Sequence, residues 1–323
     1  MFPEQPNIEA LQAYQELSQA SPPSDTIISI GVFDGVHRGH QHLIQQLLGE
    51  ARARGGLAGV VSFRIPPRAI LRPDVAIPLL TTVEERVRLL KGLGLDLVVP
   101  LTFEVALSRL RARQFCALLQ QKLRMKGLVV GPTFAMGFQR EGTPEVLQRL
   151  GQEMGFTVRV ADPLLEQGEM VSSTAIRRAL QDGNVVRATH YLSHPFAIVG
   201  QVVEGEKRGR TLGFPTANLA VDSSLAVPAD GVYATWAYVE GAGRWKSATN
   251  IGVRPTFGAG ARTIEAFLIG FQGDLYQRQI RLEFTQRLRD ETRFETPEAL
   301  VRQMREDVRR AEEMLAHIES SGQ

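Results

Sequence analysis

The chain of 323 residues contains one cysteine, and that scarcity removes two kinds of chemistry at the outset. A lone Cys116 can form neither an intrachain disulfide nor a thiolate metal cluster. Its neighbours Phe115, Leu118 and Leu119 recur at helical spacing, which predicts a buried structural thiol. Net charge is also scarce: 37 Lys and Arg against 35 Asp and Glu leave +2, too little to mark nucleic acid or an acidic membrane as a partner. No apolar run approaches the ~20 residues that span a bilayer. The N-terminal stretch carries Glu4, Glu9 and Glu16 where a secretory leader would have a basic and then an apolar segment. Internal repeats and low-complexity tracts are absent as well. These absences predict a cytoplasmic enzyme with neither a nucleic-acid nor a membrane partner.

What remains is ordinary globular material, 43% hydrophobic and 22% charged, in a length that typical domain sizes divide into about two. Residues 26 to 160 alternate short apolar runs (26–33, 57–63, 95–101, 127–131 and 157–160) with amphipathic segments, the rhythm of a parallel, doubly wound sheet. Helix punctuation fits, with Thr143 expected as N-cap and Pro144 at the first helical position. A helical stretch from about 173 to 192, interrupted at Gly183, leads into β-rich segments at 196–203, 231–239, 245–251, 262–269 and 279–288, the pattern of a sandwich or small barrel. Thr296 and Pro297 then open a terminal helix with Leu300, Met304, Val308, Ala311, Leu315 and Ile318 on one face. The expectation is an α/β domain over 1–188 followed by a β domain over 189–323.

Two patterns point to phosphate chemistry, and so to two nucleotide reactions in one chain. In Gly31-Val-Phe-Asp-Gly-Val-His-Arg-Gly-His40 an apolar strand gives way to a helix, gathering backbone N–H groups and the imidazoles of His37 and His40 around one anion. Gly31, Gly35 and Gly39 would let backbone approach it closely. Imidazolium donors there would stabilise charge as pyrophosphate departs. A zinc site of His37, His40 and His42 is the competing reading, although it has no nearby cysteine and leaves the glycines unexplained; a plain Gly-rich turn is the other. The second pattern is Gly213-Phe-Pro-Thr-Ala-Asn218, preceded by a basic, Gly-flanked stretch from Gly205 to Gly213 that would by itself be only a solvated turn.

The first string carries His-x-Gly-His and, in its longer form, resembles the prokaryotic bifunctional riboflavin kinase/FMN adenylyltransferase (FAD synthetase) family. Val171-Ser-Ser-Thr-Ala-Ile-Arg177 is similar to the family's Ser-Ser-Thr-x-x-Arg stretch, and Gly231-Val-Tyr-Ala234, Asn250 to Phe257 and Leu288-Arg-Asp-Glu291 with Phe294 agree with its kinase half. The resemblance covers nearly everything from about residue 26. It implies a Rossmann-like nucleotidylyltransferase domain and a small kinase barrel, with ATP as co-substrate, Mg²⁺ as cofactor, and riboflavin and FMN as substrates. By this resemblance Gly31, Phe33, Asp34, Gly35, His37, Gly39, His40, Ser172, Ser173, Thr174 and Arg177 would bind the ATP of adenylylation. Gly209, Arg210, Gly213, Thr216 and Asn218 would bind the kinase ATP, with Thr216 and Asn218 also on Mg²⁺. Glu265 would be the kinase base, His37 and His40 catalytic in the other half, and Arg289 near the flavin.

The chain departs from the family where Phe-Asp/Glu-Pro-His-Pro is usual and Phe63-Arg-Ile-Pro-Pro67 stands, and at Thr133, where Asp or Asn is common. In the kinase half Phe267 and Gly270 replace the usual His and Asp, and Gln277 replaces a Gly, changes read as packing. Two rival readings follow. One is a kinase whose first domain binds nucleotide but has lost or changed its adenylyl acceptor, and the other is a non-catalytic flavin or nucleotide sensor.

Overall fold

The first unit is organised around β1, Thr26–Gly31, which is buried along all but its last residue. Such a strand has no solvent face, so its isoleucines pack on both sides, and buried Thr26 satisfies its hydroxyl by donating to the Leu123 carbonyl at 2.7 Å. Ile28 and Ile30 face one way, onto the helices Gln12–Ala20 and Ala112–Leu123 through Leu17, Leu118 and Leu119. Ile27 faces the other, onto Ile44 and Leu47 of the helix Arg38–Ala53. The computed structural model describes residues 7–166, 168–205, 209, 212–253 and 262–320, and divides them into two compact units, Met1–Ser173 and Thr174–Gln323.

Parallel strands β2 (Leu57–Phe63), β3 (Leu97–Leu101), β4 (Met125–Val130) and β5 (Thr157–Val160) flank β1 in the order β3-β2-β1-β4-β5. After β1 the chain builds outward through β2 and β3, then returns to the other side for β4 and β5. The strand order therefore reverses at β1, where open α/β sheets take their ligands. A two-stranded hairpin, β6 (Leu165–Glu166) with β7 (Glu169–Met170), follows the sheet. Cys116 is fully buried in the layer beneath β1, and that burial pushes its thiol up to about 12, so the expected inert thiol is what the fold contains.

The second unit is the expected barrel. β8 (Phe196–Val203), β9 (Ala217–Ala220), β10 (Gly231–Val239), β11 (Gly243–Val253), β12 (Arg262–Leu268) and β13 (Gln279–Arg289) close in the order β10-β11-β12-β9-β8-β13. Tyr233, Ala237 and Phe284 are fully buried in it, along with Thr235, Ser247 and Thr249. The last three hydroxyls hydrogen-bond one another, two of the contacts being 2.7 Å, so the polar groups enclosed there are satisfied. Residues of the opposite register, Val232, Ala234 and Trp236, meet Ala311 and Leu315 of the terminal helix Pro297–Ser320.

Several local expectations change. β9 was not anticipated as a strand, being four residues long directly after Pro215-Thr216, yet without it the barrel would stay open. Thr143 holds the N-cap position but makes no capping bond; its hydroxyl donates to Glu145 instead, at 2.6 Å. Thr296 does cap, accepting from the N–H of Ala299 at 3.2 Å. Gln277 adopts φ +64, a left-handed conformation that glycine enters without strain, which explains why a glycine suits this position. Gln277→Gly is expected to stabilise the protein by about 0.5–1 kcal/mol, after the greater chain entropy of unfolded glycine is set against the relieved strain. Denaturant titration of both proteins checks this.

Candidate active sites

At the carboxyl end of β1 the chain makes a strained turn: Phe33, Gly35 and Val36 all have positive φ, at +55, +80 and +43. His37 then caps the helix Arg38–Ala53, its Nδ1 accepting from the N–H of His40 at 3.3 Å. The two imidazoles stack with centroids 3.6 Å apart and planes inclined by 18°, while Phe33 lies 5.1 Å from the His40 ring. His37 is 5% exposed. His40 is half-buried, but its Nδ1 is enclosed without a hydrogen-bond partner. Gly39 has no room for a side chain, since a Cβ would come within 2.9 Å of the Val171 carbonyl and 3.2 Å of the His37 ring.

Burial, then the neighbouring His37 and Arg86, hold the His40 imidazole well below its ordinary value. This environment disfavours the charged ring expected from the sequence. The folded state binds fewer protons here than the unfolded chain, whose histidine titrates near ~6.5. The corresponding stability is complete above that pH and is lost as pH falls below it. Melting curves between pH 7.5 and 5 should thus decline less steeply for His40→Gln than for the parent protein.

Asp34, expected among the nucleotide ligands, turns inward. At 2% exposure its carboxylate accepts from the N–H groups of Leu80 and Thr81 at 2.9 and 3.2 Å and lies 3.8 Å from the Arg86 guanidinium. Ser173 donates to the Asp34 carbonyl at 2.9 Å, which brings the serine stretch to the histidine turn. Ser172 is half-buried beside it. Thr174 and Arg177 lie on the helix Ser173–Gln181 and belong by packing to the second unit, the former exposed and the latter half-buried. Among the described residues no cluster of three or more His, Cys, Asp or Glu could hold a metal ion, so His37, His40 and His42 do not make a zinc site.

In the second unit a cavity of about 370 Å³ is lined by Thr216, Asn250, Glu265, Phe267, Arg289 and Asp307, among others. Antiparallel pairing places Glu265 directly opposite both Asn218 of β9 and Asn250 of β11. Thr216 donates to Glu265 Oε2 at 3.3 Å. The oxygen-bearing residues expected from the second motif thus converge on the expected base. Gly209 is a place where a Cβ would collide with the Phe214 carbonyl, and Gly213 has φ +85. Arg210 falls outside the described residues. Arg289 makes a two-pronged pair with Asp307 of the terminal helix, at 2.9 and 2.8 Å, and stands over the Phe294 ring. Asp307 and Asn250 were not anticipated as site residues. The signal for Asp307 was an acid flanked by Met304, Val308 and Ala311 on the apolar stripe.

Two family models match the chain, FAD synthetase over residues 19–175 and riboflavin kinase over 192–315. The bifunctional riboflavin kinase/FMN adenylyltransferase of Escherichia coli K12 is 38% identical over 93% of this chain and 96% of its own length. This chain belongs to the bifunctional riboflavin kinase/FMN adenylyltransferase family. The Pseudomonas fluorescens member is 38% identical over 90% of this chain and 93% of its own. Among solved structures, a chain described as a macrolide-efflux protein from Streptococcus pneumoniae superposes with a TM-score of 0.83 at 30% identity, covering 90% of this chain and 95% of that one. Among the described residues no helix is long and apolar enough to cross a membrane.

The family's departures can now be placed. Arg64, where the family usually has an acid, reaches Glu16 at 3.3 Å, and Glu16 also accepts from the N–H and hydroxyl of Thr102. Ile65 is 45% exposed and Thr133 is exposed on the turn after β4. Phe267 packs edge-on against Phe214 with centroids 5.4 Å apart, making one wall of the kinase cavity aromatic. Gly270 has φ +78, so the turn after β12 suits glycine.

Proposed function

We propose that this chain phosphorylates riboflavin to FMN in its barrel and adenylylates FMN to FAD in its parallel-sheet domain, with residues 1–188 and 189–323 as the two functional modules. The observation that carries the reading is the meeting of Thr216 and Glu265 at one cavity wall, with Asn218 paired to Glu265 across the neighbouring strand. A primary hydroxyl must lose its proton as it attacks the γ-phosphorus, and a carboxylate at hydrogen-bonding distance from the cavity can receive it. Glu265 is that base. The Thr216 hydroxyl and Asn218 amide oxygen are hard, neutral donors suited to Mg²⁺ that retains phosphate ligands, and Gly209 lets backbone come close. Bound with ATP, the ion would offset the phosphate charge. Gly209, Arg210 and Gly213 are assigned to the phosphates, and Arg289 to the flavin side of the cavity.

In the other module the FMN phosphate is already anionic and needs no base. One of its oxygens attacks the α-phosphorus of ATP; the new P–O bond forms as the bond to pyrophosphate breaks. The His37 and His40 rings and the backbone of Gly31, Phe33, Gly35 and Gly39 are assigned to the triphosphate, which would lie at the N-terminus of the helix that His37 caps. Ser172, Ser173, Thr174 and Arg177 are assigned to the same nucleotide from their match to the family's stretch. Asp34 contributes by shaping the turn.

Chromatography of products from Mg²⁺-ATP with riboflavin or with FMN tests both reactions. FAD from each substrate is the expected result. FMN from riboflavin with supplied FMN left unconverted would replace the reading by a kinase alone, and binding without turnover would replace it by a sensor.

A further inference from the structure

The histidine turn is strained in a way that demands an outside restraint. Phe33 and the β-branched Val36 both hold left-handed conformations that such side chains avoid, and strain of this kind persists only where surrounding contacts over-determine it. Asp34 lies between them. Its carboxylate is tied to the Leu80 and Thr81 backbone, and the Thr81 hydroxyl in turn accepts from the N–H of Gly35 at 3.2 Å. Arg86, 1% exposed, sits in the first turn of the helix Val83–Gly92, whose N-cap is Thr82. It stands 3.8 Å from Asp34 and donates to the Phe63 carbonyl at 2.7 Å, with the Arg64 carbonyl 3.5 Å away. One guanidinium therefore joins the histidine turn at the end of β1 to the end of β2. That second end is where this chain has lost the acid and histidine usual in its family.

We propose that Arg86 and Asp34 are a positioning pair for adenylyl transfer, holding the histidine turn in register with the segment at 63–64. In this role both act through the residues they hold, each being buried to within 2% of full enclosure. A planar, multi-donor guanidinium can serve Asp34 and two carbonyls together, which a lysine ammonium at the same place cannot do with the same geometry. Displacement of reacting groups by about 1 Å is enough to cost on the order of 10²-fold in turnover. The proposal rests on the adenylyltransferase reading for its kinetic test only.

Asp34→Asn keeps the shape and most of the acceptors while removing the negative charge, and Arg86→Lys keeps the positive charge and so avoids the unpaired buried carboxylate that Arg86→Ala would leave. Each full-length variant, confirmed folded by melting curve, is assayed for FAD from FMN well below its transition, with riboflavin phosphorylation as the internal control. In parallel, the histidine ring resonances are recorded by NMR without nucleotide. The expected result is a fall in kcat of roughly 10–10²-fold, KM values within about threefold, unchanged kinase activity, and displaced resonances for the stacked His37 and His40 rings. Lys should rescue part of the loss seen in Arg86→Met. Turnover within twofold of the parent in both variants, with the ring resonances in place, overturns the proposal. If the parent protein itself makes no FAD, the reading above fails, and the ring resonances alone decide: displaced, they support the pair; unmoved, they overturn it.

Discussion

Glu265→Gln should lower FMN formation from riboflavin by about 10²–10⁴-fold, the range over which a positioned general base contributes, while the same protein converts supplied FMN to FAD at the parent rate. The substitution is nearly isosteric. Its amide oxygen can still accept from Thr216, which now donates to Glu265 at 3.3 Å, and strand pairing with Asn218 and Asn250 is made by backbone that does not change. What disappears is a group able to take the ribityl proton. A structural role for Glu265 would instead lower the melting temperature with turnover retained. Separate assays with riboflavin and FMN distinguish the two.

The converse result is expected for His40→Ala: FMN should accumulate from riboflavin, with FAD formation reduced by about 10²–10³-fold, the cost typical of losing one donor to developing charge. His40 is a cleaner probe than His37. The His37 ring caps the helix Arg38–Ala53, so its removal would also cost roughly 0.5–2 kcal/mol of stability. The His40 ring has a buried nitrogen with no partner in the ligand-free protein and packs only against His37 and Phe33 among aromatic rings of the described residues. Product chromatography after riboflavin feeding reads the effect directly.

The parts of this molecule legible in its sequence are those set by periodicity. Apolar runs with both faces buried marked β1 and its neighbours, and the stripe from Leu300 to Ile318 marked the terminal helix. β9 was illegible because four residues after a proline carry too little pattern to distinguish a strand from a loop, and only barrel closure makes it one. The site was legible as two strings, and the fold brings their members together where spacing cannot show it: Ser173 reaches Asp34 across 139 positions and Thr216 reaches Glu265 across 49. Contacts that hold the turn together were less legible. Asp34 read as a ligand because it stands inside the motif, and its inward turn depends on Leu80, Thr81 and Arg86, to which no local pattern points. Asp307 was hidden in a helix face that otherwise reads as core.

The central claim is that two separable reactions reside in one chain, and the most direct test is to mix two disabled proteins. Glu265→Gln and His40→Ala are each incubated with riboflavin, ATP and Mg²⁺, alone and together, and FAD is quantified. The account predicts little FAD from either protein alone and restored FAD from the mixture, because FMN released by the second is adenylylated by the first. A mixture that accumulates FMN without FAD would contradict it.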